Sequence, residues 1–62
     1  MNIQAKQLRV KNELQNLGVH KMNIAALFEY DYDWHDYSVG EIVEIMTDML
    51  GMSIKIEEAL YE

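Results

Sequence analysis

The sequence predicts an all-α fold, a compact bundle of three to four short helices in a single domain spanning residues 1–62. Apolar residues recur at helical spacing in residues 3–17 and again in residues 39–50. The chain has no Pro, which would interrupt helices. Gly18 and Gly51 each follow one of these segments, where a left-handed glycine commonly ends a helix.

The first helix is predicted over residues 3–17, with Gly18 as its stop. Its apolar stripe comprises Ile3, Val10, Leu14 and Leu17. Val19 is then placed to close over Leu14, the contact that accompanies a Schellman ending. Leu8 lies nearly opposite the stripe, either as an ordinary exposed leucine or as a second contact for a dimer.

A short second helix is predicted to begin at Asn23, whose side chain can cap it. Ile24, Leu27 and Phe28 would share its buried face, and it would end at about Tyr30. An irregular or extended connection follows, rich in aromatic and acidic residues.

The third helix is the best defined by the sequence. Ser38 and Glu41 form a capping box at its start. Its apolar stripe comprises Ile42, Val43, Ile45, Met46, Met49 and Leu50. Gly51 is predicted to provide a left-handed stop, with Met52 folding back on Met46.

Residues 52–62 fit two patterns. Ser53 can cap a last helix, with Ile56, Ala59 and Leu60 facing inward. Alternatively, residues 52–56 alternate as a strand does and could pair with residues 30–34, giving a small α+β fold with a two-stranded sheet. The sequence of residues 52–58 is therefore consistent with either a helix or a strand.

Composition limits the classes of function. With no Cys, the chain has no disulfides, thiolate metal sites or thiol catalysis. It lacks a secretory signal and the roughly 18 apolar residues of a membrane span, so we expect a cytoplasmic protein without membrane contact. A chain this small buries only about 60% of its unfolded surface, so we expect a homo-oligomer or a bound partner to contribute to stability.

Charge is divided unequally along the chain. Residues 1–21 carry four cations against Glu13, a net +3, whereas residues 22–62 carry Lys55 against ten acids, a net −9. So acidic a surface repels nucleic acid and attracts basic protein surfaces.

The segment Phe28–Ser38 holds the only Trp, the only Phe, three of four Tyr and four of the eleven acids. Phe28 and Trp34 are expected to complete the core, and Tyr30, Tyr32 and Tyr37 exceed what so small a core can cover. Trp and Tyr are over-represented among interface hot spots, and interleaved carboxylates can imitate phosphates.

Metal and nucleic-acid motifs fail their spacing tests. A calcium loop starting at Asp31 needs Gly and Glu where Asp36 and Ile42 stand. A divalent metal ion could still bind less specifically to His35 with Asp31, Asp33 and Asp36, but the sequence predicts no particular metal site. A helix-turn-helix around Gly51 would have a recognition helix carrying three acids against Lys55.

An enzyme is not expected. His35 beside Asp33 and Asp36 could act as a base and Ser38 as a nucleophile. A chain of 62 residues leaves little room for a substrate pocket with an oxyanion site, and no cofactor is implied.

Three segments resemble the acidic four-helix acyl carrier proteins: Arg9-Val10-Lys11, Leu17-Gly18-Val19 and Asp36-Tyr37-Ser38, the last opening an acidic helix. That family carries phosphopantetheine on a Ser that follows an Asp, so the resemblance implies a carrier with Ser38 as the candidate. The family's pattern is Asp-Ser-Leu. Here Tyr37 occupies the serine position and Ser38 follows one place later.

The sequence thus favours a small acidic protein-binding module, an inhibitor or regulator of the kind phages and mobile elements encode. Its expected partner is a basic, nucleic-acid-binding protein, without direct nucleic-acid contact. The alternatives are a DNA-binding regulator using the basic first helix and, as a minor one, an acyl-carrier-like protein. The predicted partner-binding residues are Tyr30, Asp31, Tyr32, Asp33, Trp34, Asp36, Tyr37, Glu41, Glu44 and Asp48.

Overall fold

The structure, a computed structural model, describes the backbone of residues 2–61 and the side chains of residues 2–51. It contains α1 (Ile3–Asn16), α2 (Lys21–Leu27) and α3 (Val39–Tyr61). The predicted all-α fold is confirmed, and the α+β alternative is wrong because the described chain contains no strand. None of the described helices combines the length and hydropathy needed to cross a membrane.

α1 begins and ends with well-formed caps. The Asn2 side chain accepts a hydrogen bond from the Ala5 backbone N–H at 2.7 Å. At the other end Gly18 has φ +88°, and the Val19 N–H donates to the Leu14 carbonyl at 3.0 Å. A second bond runs from the Gly18 N–H to the Gln15 carbonyl at 3.0 Å. Together these are the two bonds of the predicted Schellman ending.

The buried face of α1 is narrower than the predicted stripe. Val10 and Leu14 are fully buried, but Leu17 is 64% exposed. Leu17 is the C-cap residue, and the Schellman turn brings Val19 rather than Leu17 against the core. Leu8 is exposed as well.

α2 is capped by His20, two residues after Gly18, and not by Asn23 as predicted. The His20 Nδ1 accepts from the Met22 N–H at 3.1 Å, so Asn23 lies inside the helix. Ile24 and Leu27 are buried as expected. The regular helix stops at Leu27, and looser turn bonds continue to Tyr30.

α3 begins with the predicted capping box. The Ser38 Oγ accepts from the Glu41 N–H at 3.2 Å, and the Glu41 carboxylate accepts from the Ser38 N–H at 3.1 Å. Ile42 and Met46 are fully buried. Val43, Met49 and Leu50 are half-buried and pack against the core.

Gly51 does not end the helix, and the predictions of a left-handed stop and of a separate helix capped by Ser53 are wrong. α3 runs through Gly51 to Tyr61, so residues 52–58 are helical and not a strand. Gly51 keeps a helical backbone, and the residues beyond it include strong helix formers such as Glu57, Glu58 and Ala59. The predicted contact of Met52 with Met46 and the inward faces of later residues lie outside the described side chains.

One core joins the three helices. It consists of Val10, Leu14, Ile24, Leu27, Ile42 and Met46. α1 is the central element, since α2 and α3 pack mainly against it rather than against each other. This arrangement leaves residues 28–38 to cross from the end of α2 to the start of α3.

Candidate protein-binding surface

The aromatic side chains of residues 28–38 divide into an inward and an outward set. Phe28, Tyr32 and Trp34 are half-buried and pack against the core. Tyr30 and Tyr37 are exposed, at 60% and 41%. Tyr32 therefore joins the two rings expected inside, although the sequence had suggested a core too small for it.

The inward set forms a continuous aromatic cluster. The Phe28 and Trp34 ring centroids are 5.6 Å apart in a stacked arrangement. Tyr32 meets Trp34 edge-on, with centroids 5.8 Å apart and planes inclined at 74°. Edge-on and offset contacts of this kind add to the stability gained from burial alone.

Two lysines of α1 hold this cluster in place. The Lys6 Nζ donates to the Trp34 carbonyl at 2.6 Å, and the Lys11 Nζ lies 5.0 Å from the centroid of the Phe28 ring. The first is a charge-assisted hydrogen bond and the second a cation–π contact. Two of the positively charged side chains of α1 therefore bind the connection between α2 and α3.

The Tyr32 hydroxyl ties α2 to α3. It donates to the Leu27 carbonyl, 2.8 Å away, and lies 3.6 Å from the Met49 Sδ. Burial raises the pKa of Tyr32 above its ordinary value of 10.0, and the charge of Tyr30 adds to this effect. The structure therefore places Tyr32, a predicted partner-binding residue, within the fold.

Asp33 organises a single turn before α3. Its Oδ1 accepts from the backbone N–H of Asp36 at 3.1 Å and of His35 at 3.2 Å, while its carbonyl accepts from the Tyr37 N–H at 3.1 Å. The Asp36 N–H is the main cause of a lowered pKa for Asp33, partly opposed by desolvation. Asp33 thus resembles an N-cap residue.

Exposed carboxylates continue from this connection along α3. The spacing of Glu41, Glu44 and Asp48 puts them on one side of the helix, and all three are exposed. Asp31 and Asp36 are exposed in the connection, together with Glu29, which the sequence prediction missed. Glu29 belongs to the same alternation of aromatic and acidic residues as Asp31, which is the signal that could have found it.

The structure also places the residues considered for metal binding, catalysis and carrier function. No three His, Asp or Glu side chains of that range converge to hold a metal ion. The Ser38 hydroxyl, proposed as a nucleophile or carrier site, accepts the capping bond of α3. A cavity of about 440 Å³ between the start of α1 and His35 is lined in part by Lys6 and Trp34, which already bond to each other.

A groove between α2 and α3 was not foreseen from the sequence. It has a volume of about 160 Å³ and is lined by Asn23, Ala26, Leu27, Tyr30, Met49 and Leu50. Asn23 and Ala26 are three residues apart in α2, so the sequence places them on one side of that helix, and Tyr30 follows beyond its end.

Comparison of the chain with known protein families, curated proteins and solved structures found no match.

Proposed function

We propose that this protein is an acidic protein-binding module, an inhibitor or regulator of the type encoded by phages or mobile elements. It would occupy the basic, nucleic-acid-binding surface of a target protein. The observation that carries the proposal is the series of seven exposed carboxylates in residues 22–51, a range that contains no Lys or Arg.

The electrostatic argument depends on this local absence of cations. Glu29, Asp31 and Asp36 in the connection continue into the carboxylates on one side of α3. A surface with one sign of charge steers an oppositely charged partner and speeds its association. The same carboxylates repel DNA and RNA, so a basic nucleic-acid-binding protein fits them better than nucleic acid does.

Two exposed rings supply apolar contact area beside the charges. Tyr30 and Tyr37 stand at the two ends of the acidic part of the connection. Tyrosine contributes rigid, amphipathic area at low entropic cost. Trp34 and Tyr32 contribute indirectly, because their contacts attach the connection to the rest of the fold.

The use of cations in α1 argues against the DNA-binding alternative. Lys6 and Lys11 are engaged with Trp34 and Phe28, so Arg9 and Lys21 are the cations among residues 2–51 that do not contact the connection. The affinity of a protein for nucleic acid depends on the number of phosphates that it neutralises. Two cations on a protein with a net charge of −6 can neutralise only a few phosphates. The carrier alternative implies four helices, whereas the described chain has three.

Affinity capture with a neutralised variant tests the proposal. The variant carries Asp31→Asn, Glu44→Gln and Asp48→Asn, and the charge-matched control carries Glu13→Gln, Glu57→Gln and Glu58→Gln. We expect the wild type and the control to capture the same nucleic-acid-binding protein from a cytosolic extract of the source organism. The neutralised variant should lose it, and rising salt should weaken the capture.

A competition experiment then tests the mode of action. The captured partner is purified and bound to fluorescent DNA or RNA, and the wild-type protein is titrated in. Displacement of the nucleic acid supports the proposal. Equal capture by the neutralised variant, or a partner that keeps its nucleic acid, contradicts it. Direct binding of the wild-type protein to the labelled nucleic acid would favour the DNA-binding alternative.

A further inference from the structure

We propose that the groove between α2 and α3 receives the apolar side chains of a basic amphipathic helix on the partner protein. This inference rests on the proposed function and makes the partner's binding element specific. The groove is the one lined by Ala26, Leu27, Tyr30, Met49 and Leu50, with Asn23 at its edge.

The groove exists because α2 and α3 pack mainly against α1 rather than against each other. Leu27 forms part of its α2 wall and Met49 part of its α3 wall. The Tyr32 hydroxyl touches both residues, through the Leu27 carbonyl and the Met49 sulfur. The two walls are therefore held at a set separation by a side chain from the acidic connection, and the groove is formed before a partner arrives.

The lining suits apolar side chains presented by a helix. Ala26 is small, Tyr30 provides a largely exposed ring, and Met49 and Leu50 are half-buried. Methionine adapts its shape to different apolar partners, a property used by helix-binding grooves. A helix docks in such grooves through residues spaced three or four apart, with its polar residues outside.

Charge at the edges indicates which helix fits. Glu29 and Asp31 flank Tyr30 in the chain, and Asp48 precedes Met49, so lining residues of both walls have exposed carboxylates as their neighbours in the chain. An acidic helix, or a second copy of this acidic chain, would be repelled there. A helix with Lys or Arg beside its apolar row would gain contacts with both the groove and its edges.

A pair of alanine substitutions isolates the groove. Ala26 and Ala25 are adjacent exposed residues of α2, but Ala26 lines this groove and Ala25 lines a different cavity, between α1 and α2. Ala26→Lys therefore places bulk and a positive charge in the groove. Ala25→Lys makes the same change in composition and net charge outside it.

The probe is a fluorescent synthetic peptide of Leu and Lys with its leucines at helical spacing, and a Leu/Glu peptide of the same pattern is the control. We expect the wild type and Ala25→Lys to bind the Leu/Lys peptide alike, and Ala26→Lys to bind it on the order of tenfold more weakly. Amide NMR shifts on binding should centre on Ala26, Tyr30 and Leu50.

Several results would overturn the inference: equal binding by both lysine variants, equal binding of the Leu/Glu peptide, or shifts centred elsewhere. Self-association in sedimentation that Ala26→Lys abolishes would assign the groove to a second copy instead. The inference fails separately from the proposed function, because charge-dependent capture of the natural partner can persist while Ala26→Lys has no effect on it.

Discussion

The inward and outward aromatic residues of the connection are only a few residues apart in the chain but have different surroundings. Tyr32 and Trp34 pack against the core, where the Tyr32 hydroxyl contacts the Met49 sulfur of α3 and the Trp34 carbonyl accepts a hydrogen bond from Lys6 of α1. Tyr30 and Tyr37, a few residues away on either side, stay exposed. The inward residues of this short segment contact the rest of the fold, whereas its outward rings and carboxylates remain exposed to solvent.

The largest effect on stability is expected when one ring is removed from the inward set, and removal of one ring from the outward set is the comparison. Trp34→Ala should lower the free energy of unfolding by about 2 kcal/mol, less than a fully buried aromatic because Trp34 is only half-buried. Tyr30→Ala should change it by no more than about 0.5 kcal/mol. Urea unfolding followed by far-ultraviolet circular dichroism measures both. Similar losses in the two variants would show that the division is wrong.

A smaller change removes only the Tyr32 hydroxyl. Tyr32→Phe should destabilise the fold by about 1 kcal/mol, since it loses the hydrogen bond to the Leu27 carbonyl and the contact with the Met49 sulfur. Tyr37→Phe is the control and should be neutral. Chemical denaturation of both proteins at one pH gives the comparison, which a neutral Tyr32→Phe would contradict.

Alkaline titration reports on the burial of the Tyr32 hydroxyl. Burial raises the pKa of Tyr32 above 10.0, so the folded state favours the neutral phenol. Stability from this group is fully present below pH 10.0 and is lost as the pH rises through the raised pKa. Tyr32→Phe should remove this part of the alkaline loss, and Tyr30→Phe should lower the pKa of Tyr32. Phenolate absorbance measures the titration.

The smallest effect separates two carboxylates of the connection. The pKa of Asp33 is lowered mainly by the Asp36 N–H, so its contribution to stability is present above pH 3.8 and is lost as the pH falls through the lowered value. Asp33→Ala should reduce stability at neutral pH and lose less on acidification. Asp31→Ala should leave stability unchanged. Urea midpoints at neutral pH and well below 3.8 test both, and identical behaviour would contradict the capping role of Asp33.

Local signals predicted the parts of the fold that depend on neighbours in the chain. The Ser38 and Glu41 capping box requires only a spacing of three residues, and the structure has both of its bonds. The Schellman ending at Gly18 likewise involves residues within one turn. His20 was missed as a cap because the imidazole acceptor is outside the usual cap residues, whereas Asn23 is among them.

Gly18 and Gly51 show where a local signal becomes insufficient. Both follow a Leu and precede an apolar residue at the end of an amphipathic pattern. Val19 has a place against the core once Gly18 turns the chain, which favours the left-handed conformation there. At Gly51 the chain remains helical, so α3 extends to Tyr61 where a corner was predicted.

Only part of the candidate surface was predicted, because local sequence patterns do not show which residues meet in the tertiary structure. The exposed carboxylates of α3 follow from helical period alone, because they lie opposite a clear apolar stripe. The inward position of Tyr32 and the fold role of Asp33 depend on contacts that the alternation of residues 28–36 does not encode. Nor could the groove beside Tyr30 be found without knowing how α2 and α3 are separated.

The sequence by itself determined the helical class, the ending of α1 at Gly18, the capping box at the start of α3 and the unequal charge of the two parts of the chain. These features depend on composition and on residues within about one helical turn of each other. Only the tertiary structure decided which rings of the connection are buried, that Lys6 and Lys11 face it, and that a groove lies between α2 and α3. The physical reason is that those outcomes depend on the way α1 packs against residues far from it in sequence, as in the bond from Lys6 to Trp34.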